Sequence, residues 1–338
     1  MRVTMYGHFT GWSSYPAACK RLARHLLEKG VDLGLVNHRD GPCESFEHIR
    51  GGDRTDPIGF YHGFADGLIR VPRHERMIGY HVGDVDVIPK TWVEPMNRLD
   101  LVITQSSWCM QVFRRSGVKV PIFLSRAGVD EAFVPGASHL PGEFLRIAHF
   151  NSSEQWFRKG TAEVIVAMQK LNGALPIKVE VHTDHPSVKD AVLRARAPGL
   201  VLAARHDPMP PKVMAAVVRG YDALLAPSRC EGLGLQPAEF LSCGLPVVAT
   251  TCTGFSETLD SKTPGLVPIP TGALTACGAF GRAPSLDADS VAAGLKALVA
   301  RYPSLLIAAR DNAANVMKKW GWNNILEADR FASLVLSR

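Results

Sequence analysis

Short apolar runs alternate with amphipathic segments along almost the whole chain. Residues 58–62 and 145–150 are apolar runs with the length of buried strands. Other segments repeat apolar residues at helical spacing, as Ala18, Leu22 and Leu26 do. This alternation predicts parallel sheets covered by helices, which is an α/β fold.

Two further patterns predict where helices begin and end. Ser106 precedes an amphipathic segment that ends near Gly117, so Ser106 is the predicted N-cap of that helix. A later amphipathic helix is predicted from about 288 to 299. Terminal helices that carry Trp320 and Trp322 are expected to follow it.

The composition supports a globular protein with room for two domains. The chain has 338 residues, of which 46% are hydrophobic and 21% are charged. These values exclude an intrinsically disordered chain. Residues 136–143 are rich in proline and glycine and predict a linker. The first domain is therefore expected to end near 135 and the second to begin near 144.

Apolar runs, cysteines and net charge narrow the class of protein further. No run of 18 or more apolar residues is present, and residues 1–5 lead into a predicted strand without a signal peptide. We therefore expect a cytoplasmic protein with no transmembrane segment, while peripheral membrane contact stays open. Seven cysteines without a CxxC pair favour neither a disulfide framework nor a zinc site. The net charge of +6 favours acidic partners such as nucleotide sugars, anionic membranes or nucleic acid.

The most informative stretch is residues 227–257, PSRCEGLGLQPAEFLSCGLPVVATTCTGFSE. A predicted strand precedes it, and the stretch itself contains a glycine-containing loop, a helical segment and a second strand. Ligands of parallel α/β sheets bind where such strands end, because glycines there let backbone N–H groups approach an anion. Glu231 in the loop and Glu239 on the helix are expected to frame one crevice suited to sugar or ribose hydroxyls. The alternative is an ordinary strand-to-helix turn with two solvated glutamates.

This stretch resembles the donor-binding signature of the retaining glycosyltransferases of family 4. The similarity lies in P-S-x-x-E-G-x-G-x-x-x-x-E from Pro227 to Glu239, C-G-x-P-V-V-A-T from Cys243 to Thr250, and G-x-x-E ending at Glu257. It implies the GT-B fold, in which two Rossmann-like, doubly wound parallel-sheet domains face each other across a cleft. The implied parts are an acceptor-side domain at 1–135, a linker at 136–143, a nucleotide-sugar-binding domain at 144–318 and a helix at 319–338 that packs back on the first domain.

The resemblance implies roles for residues of the second domain. Glu231 is expected to act at the sugar, and Glu239 is expected to bind the ribose. Lys159 is expected to hold the leaving diphosphate with Arg158 beside it, although Arg158-Lys159-Gly160 alone is only a charged helix start. The remaining implied donor-binding residues are Ser228, Arg229, Gly232, Leu233, Gly234 and Leu235.

The first domain is expected to contribute a histidine and a loop. His81 ends a predicted strand, and the resemblance implies that it contacts the donor sugar from the opposite domain. His62 is a rival for that role, and Asp84 is close to His81 in the chain. The loop that contains Thr10 and Gly11 is expected to approach the donor diphosphate.

One position departs from the family pattern. Members carry an arginine about six residues before the lysine, and here Ser153 stands six residues before Lys159. Arg158, Arg205 or Arg229 takes its place, or the site is weakened. No cofactor and no metal ion are expected, since the only Asp-x-Asp motif near a predicted strand end, residues 84–86, belongs to the first domain.

The implied activity is that of a retaining, metal-independent hexosyltransferase. It would move a hexose from a nucleotide sugar, with a UDP-sugar such as UDP-glucose favoured over a GDP-sugar, to a hydroxyl of a saccharide or glycan-like acceptor. One alternative is transfer to hydroxymethylated bases of DNA, with arginines along the phosphate backbone and aromatic rings stacked on a base. The residues concerned are Arg70, Arg73, Arg76, Phe60, Tyr61 and Tyr80. A further alternative is a sugar-nucleotide epimerase or an inactive nucleotide-binding module of the same fold.

Overall fold

The computed structural model divides the chain into two units, each built around a parallel sheet. The first unit contains Met1–Gly128 and Trp322–Arg338, and the second contains Val129–Gly321. The structure describes residues 1–38, 41–137, 142–151, 157–203, 209–277 and 281–337. Part of the predicted linker, residues 138–141, lies outside these ranges.

Six parallel strands form the sheet of the first unit, in the order β2-β1-β3-β4-β5-β6. They are β1 (Arg2–Gly7), β2 (Asp32–Asn37), β3 (Ile58–His62), β4 (Arg76–His81), β5 (Leu101–Thr104) and β6 (Ile122–Leu124). The chain adds β2 on one side of β1 and β3 on the other. The carboxyl ends of β1 and β3 therefore form a topological switch point, where ligands of doubly wound sheets bind.

Helices from both ends of the chain cover this sheet. They are α1 (Ser14–Glu28), a 3-10 helix (Ala65–Arg70), α2 (Lys90–Met96), α3 (Ser107–Ser116), α10 (Trp322–Ala328) and α11 (Phe331–Leu336). The predicted cap is confirmed, because the Ser106 hydroxyl accepts the Cys109 N–H at 3.0 Å. Phe331 is fully buried, with its ring 5.7 Å from that of Phe60, so α11 belongs to the core of the first unit.

The second unit has its own sheet of six parallel strands, in the order β12-β11-β10-β7-β8-β9. They are β7 (Leu145–Phe150), β8 (Ile177–His182), β9 (Leu200–Leu202), β10 (Ala223–Ala226), β11 (Val247–Thr250) and β12 (Leu266–Ile269). An antiparallel hairpin of β13 (Leu274–Cys277) and β14 (Gly281–Pro284) follows. The switch point of this unit lies between β7 and β10. Doubly wound parallel sheets are therefore confirmed in both units.

Six helices belong to the described part of the second unit. They are α4 (Thr161–Leu171), α5 (Pro186–Ala195), α6 (Pro211–Val218), α7 (Leu235–Ser242), α8 (Phe255–Thr258) and α9 (Ala288–Trp320). The predicted end near 299 of the helix that begins at about 288 is wrong, since α9 continues through Pro303 for 33 residues in all. Proline removes one helical N–H, but the buried Tyr302 and Leu305 on either side hold this turn in the core.

Among the described helices, α9 alone is long and apolar enough to cross a membrane by length and composition. Its most apolar window has a mean hydropathy of 1.4, and 39% of that window is buried inside the protein. Val291, Leu295 and Leu298 lie in the core beneath the sheet, where α9 packs against α4, α7 and β12. Core packing therefore accounts for much of its apolar character.

Candidate functional site

The turn before α4 and the loop after β10 run side by side at the switch point of the second unit. The Arg229 N–H donates to the Arg158 carbonyl at 2.8 Å, and the Arg158 guanidinium donates to the Cys230 carbonyl at 2.9 Å. Gly160 has a φ of +71°, and a Cβ there would lie 2.2 Å from the Pro227 carbonyl oxygen. Only glycine therefore allows α4 to begin this close to the loop.

Two cations and one carboxylate meet where these segments touch. Lys159 Nζ lies 2.6 Å from Glu231 Oε1, and an Arg158 guanidinium nitrogen lies 3.2 Å from Oε2. Burial opposes ionisation of the Glu231 carboxyl, but Lys159 and Arg158 outweigh it and lower its pKa to about 2. The Ser228 side chain lowers the pKa of this carboxyl further, by a smaller amount. The hypothesis of a solvated glutamate is thus wrong for Glu231, which is 7% exposed.

Arg229 faces a different partner. Its guanidinium pairs with Glu163 of α4 and lies 3.7 Å from the centre of the Phe157 ring. Of the two described arginines proposed to replace the family arginine, Arg158 and Arg229, Arg158 is the one that contacts the carboxylate of Glu231. Arg205 lies outside the described residues, as does Ser153.

The glycines of the motif make close packing possible. A Cβ on Gly254 would lie 2.3 Å from the Glu231 carbonyl oxygen, and one on Gly234 would lie 2.0 Å from the Phe255 ring. Leu233, directly before Gly234, is a core side chain that is 1% exposed. Gly234 and Gly254 therefore let the loop that contains Glu231 pack directly against the segment after β11. The predicted contacts of Gly232, Leu233, Gly234 and Leu235 with a phosphate stay predictions.

Glu239 lies in α7, and the environment of its carboxyl differs from that of Glu231. Burial, with a smaller contribution from Asp130, raises the pKa of its carboxyl to about 7. No hydrogen-bond partner for this carboxyl occurs among the described residues. Near neutral pH it is therefore divided between a neutral form that can donate a hydrogen bond and an ionised form that can only accept.

Sequence reasoning missed Asn151, which directly follows β7. The residue is fully buried, and neither its Oδ1 nor its Nδ2 has a hydrogen-bond partner in the described part of the chain. Two residues earlier, His149 is fully paired: Nδ1 donates to the Leu225 carbonyl at 2.9 Å, and Nε2 accepts from the Thr161 hydroxyl at 2.8 Å. The available signal was a polar residue at the carboxyl end of an apolar run.

In the first unit, His81 is completely buried at the end of β4. Its Nδ1 donates to the Gly63 carbonyl at 2.8 Å, while burial lowers its pKa to about 4. Its Nε2 is buried with no partner among the described residues, so the neutral ring presents an acceptor. His62, the rival, lies 2.9 Å from the Cys19 sulfur, and burial lowers its pKa to about 3. The assignment of either histidine to a donor sugar stays a prediction.

The loop after β1 already binds a carboxylate of the protein itself. The Gly11 N–H donates to the Glu44 carboxylate at 2.8 Å, and Lys20 Nζ lies 3.1 Å from the same carboxylate. Thr10 is exposed, and its hydroxyl donates to the Pro42 carbonyl. The predicted approach of Gly11 to a diphosphate stays a prediction.

The aromatic residues invoked for stacking on a DNA base are not available for it. Phe60, Tyr61 and Tyr80 are at most 1% exposed, and the Tyr80 hydroxyl donates to the Ser125 carbonyl inside the core. Arg73 pairs with Asp100. The expectation that these rings stack on a base is therefore wrong, because the rings pack in the core around the first sheet. Within the described ranges, no group of three or more His, Cys, Asp or Glu residues is arranged to hold a metal ion.

Three solved structures share this fold. Sucrose-phosphate synthase from Thermosynechococcus elongatus matches with a TM-score of 0.72 at 14% identity, over 100% of this chain and 99% of that one. HepE from Anabaena, in complex with UDP-glucose, matches with 0.72 at 14% identity, over 99% and 100%. WaaG, a glycosyltransferase involved in lipopolysaccharide biosynthesis, matches with 0.67 at 11% identity, over 100% of both chains. The predicted fold class is therefore confirmed.

A sequence-family match covers the site described above. Residues 148–278 match the model of the family described as glycosyl transferases group 1. That range begins in β7 and includes the turn before α4, the Glu231 loop and α7. No curated protein is similar to the chain at a significant level. Residues 148–278 of the second unit are thus similar to the glycosyl transferases group 1 family, in a chain that has the GT-B fold.

Proposed function

We propose that this protein is a retaining glycosyltransferase that moves a hexose from a UDP-sugar to a hydroxyl group of a saccharide or glycan-like acceptor. The observation that carries the proposal is the cluster of the buried Glu231 with the partly buried Arg158 and Lys159, which has two positive charges and one negative. It lies at the switch point of the second sheet, where doubly wound folds bind nucleotides. The similar fold of HepE, which binds UDP-glucose, supports a UDP-sugar as donor.

The cluster fits the diphosphate of such a donor. The first turn of α4 begins at Gly160 without a side-chain cap, so its N–H groups and the helix dipole favour an anion. Glu231 keeps the two cations in place and stays ionised at neutral pH because its pKa is about 2. A bound diphosphate would accept a hydrogen bond from Lys159 while Lys159 stays paired with the Glu231 carboxylate. Glu239 would bind the ribose hydroxyls.

The reaction would break the bond between the anomeric carbon and the phosphate oxygen. Negative charge then develops on the diphosphate, where Lys159 and Arg158 stabilise it, and positive charge develops on the sugar ring. The acceptor oxygen would attack the same face that the diphosphate leaves, and its proton would pass to the departing phosphate. This route retains the anomeric configuration. The two cations supply the charge at the phosphate, so the proposal requires no metal ion.

A ligand panel and a pair of lysine variants test this function. UDP, UDP-glucose, GDP, GDP-mannose and ADP are added to the protein, and the melting temperature is recorded, because a ligand of the folded state raises it. UDP-glucose is expected to give a clear shift. Lys159→Met should weaken its binding about 10- to 100-fold by loss of a charge-assisted hydrogen bond.

Lys170→Met, in the helix α4 that follows Lys159, is the matched control. Lys170 is half-exposed and pairs with Asp289, so its loss should leave ligand binding unchanged. Release of UDP only when a saccharide acceptor is added, with an α-linked product by NMR, would support retaining transfer. An altered sugar formed without acceptor would indicate an epimerase instead. A wild-type protein that shows no shift with any of the five ligands would overturn the proposal.

A further inference from the structure

Asn151 occupies the position at which the second sheet meets a bound ligand. Its N–H donates to the His182 carbonyl at 2.8 Å, so the backbone continues the β7 ladder by one residue beyond Phe150. On its other side, β7 pairs with β10, the strand that leads into the Glu231 loop. Asn151 therefore stands at the switch point itself.

The direction of its side chain follows from the alternation of a strand. His149 lies on one face of β7 and contacts Thr161, the first residue of α4. Side chains two residues apart along a strand share a face, so the amide of Asn151 points to the α4 side as well, one step nearer the carboxyl edge. The segment that precedes Thr161 is the turn with Arg158 and Lys159.

The Asn151 amide is buried and has no hydrogen-bond partner among the described residues. Such burial costs free energy unless a ligand supplies the missing hydrogen bonds. Asn151 is 0% exposed, and both of its polar atoms lack a partner among the described residues. Buried polar groups in native proteins almost always have hydrogen bonds, and exceptions occur where another molecule supplies the partner. His149 has the same burial and the same strand face, yet both of its ring nitrogens are bonded.

The chemistry of the amide selects the part of the ligand. A carboxamide needs an acceptor for its NH2 group and a donor for its oxygen. An ionised diphosphate offers only acceptors, whereas a sugar hydroxyl offers a donor. Both occur together where the sugar is joined to the diphosphate.

We propose that Asn151 binds the donor at this junction, with its NH2 group donating to a phosphate oxygen and its Oδ1 accepting from a sugar hydroxyl. The assignment rests on the proposed function and adds a donor-binding residue to it. Because asparagine is neutral, it reads the sugar–phosphate geometry without adding to the charge of Arg158 and Lys159. It therefore contributes to discrimination between a nucleotide sugar and the free nucleotide.

Two substitutions test the assignment with UDP-glucose and UDP as probes. Asn151→Leu keeps the size of the side chain but removes its unpaired polar atoms, so the free protein should melt at a higher temperature than wild type. The same variant should bind UDP-glucose at least tenfold more weakly, with a smaller loss for UDP. Asn151→Asp retains an acceptor but places a negative charge beside the phosphates, so it should weaken both ligands.

Asn97→Leu is the matched control. The Asn97 side chain donates to the Gly117 carbonyl and accepts the Lys119 N–H in the first unit, so leucine there should lower the melting temperature and leave UDP-glucose binding unchanged. A less stable Asn151→Leu protein, or one that binds UDP-glucose as wild type does, would overturn the role of Asn151 alone. A wild-type protein that binds none of the nucleotide sugars would overturn the proposed function and this role together.

Discussion

The buried pair of His62 and Cys19 at the carboxyl end of the first sheet is neutral, whereas the buried Glu231 at the carboxyl end of the second is charged. His62 and Cys19 form a pair in which burial lowers the pKa of the imidazole to about 3 and raises that of the thiol to about 12. At the second switch point, Glu231 is ionised between Lys159 and Arg158. Burial acts on both sites, so the difference comes from the partners. A carboxylate with two cations stays charged, and an imidazole with a thiol does not.

This contrast bears on which unit meets an anionic ligand. Two cations balanced by one carboxylate leave a positive charge that a diphosphate can neutralise. In the first unit, Lys20 is balanced by Glu44, and that carboxylate also takes the Gly11 N–H. The comparison therefore supports the proposal that phosphate binds in the second unit.

Loss of the Glu231 charge should have the largest effect. Glu231→Gln leaves Lys159 and Arg158 close together without an anion, and we expect a loss of about 3 kcal/mol in the free energy of unfolding at pH 7. Transfer should fall at least about 100-fold. Because the pKa of Glu231 is lowered, its contribution is complete above pH 4.5 and disappears as the pH falls towards 2. Urea unfolding measures the loss.

The control for this variant is Glu94→Gln. Glu94 and Arg98 form an exposed pair, with side chains 74% and 71% exposed, so the free energy of unfolding should change little. Equal, small losses in both variants would contradict the claim that the Glu231 cluster is a buried, coupled site.

Acidification should weaken the first unit more than the second. Burial lowers the pKa of His62 to about 3 and that of His81 to about 4, so below pH 6.5 the unfolded chain takes up their protons first. Their contribution to the free energy of unfolding is complete above pH 6.5. At pH 5 the contribution of each histidine should have decreased by about 2 kcal/mol. His149, with a pKa of about 4, acts in the same way in the second unit.

Amide hydrogen exchange at pH 7 and pH 5, expressed as protection factors, separates the two units. Protection in β3 and β4 should fall more than protection in β7 and β10. His81→Gln should reduce the pH dependence of the first unit. Equal losses in the two sheets would show that the neutral histidines do not distinguish them.

A matched pair of glycine substitutions should give a smaller difference. Gly11 and Gly160 both have positive φ, of +82° and +71°, but a Cβ on Gly11 meets nothing within 4 Å. Gly11→Ala should cost about 1 kcal/mol from its backbone conformation alone. Gly160→Ala adds a clash with the Pro227 carbonyl and should cost about 3 kcal/mol. Chemical denaturation compares them, and similar costs would mean that α4 is not held against the loop.

The smallest effect is expected from Glu44→Gln. The Glu44 side chain is 38% exposed, and a neutral amide can still accept the Gly11 N–H, so only the weak attraction to Lys20 is lost. The melting temperature should decrease less than in Glu231→Gln, Gly160→Ala or Gly11→Ala, and the shift caused by UDP-glucose should be unchanged. A loss as large as that of Glu231→Gln would place a second buried charge site in the first unit.

Much of the fold was predictable because it depends on local patterns. The strands Ile58–His62, Leu101–Thr104 and Leu145–Phe150 coincide with their apolar runs, and Ser106 caps the helix it precedes. Glu231 of the motif meets Arg158 and Lys159 at the second switch point, while the ligand roles assigned to these residues stay predictions. The helix across Pro303 was not predictable, since proline favours an end and only packing in the core overrides it.

The sequence by itself determined the alternation of strands and helices, the doubly wound sheets and the loop with Glu231, because periodicity and glycine placement act over a few residues. Only the tertiary structure decided the state of the side chains. Lys159 and Glu231 are 72 residues apart, and their contact sets the charge of the site. Arg229 pairs with Glu163, the surroundings of Glu239 raise its pKa, and Asn151 is buried with no hydrogen-bond partner among the described residues. Burial and pairing over long sequence separations produce these states, and no local pattern records them.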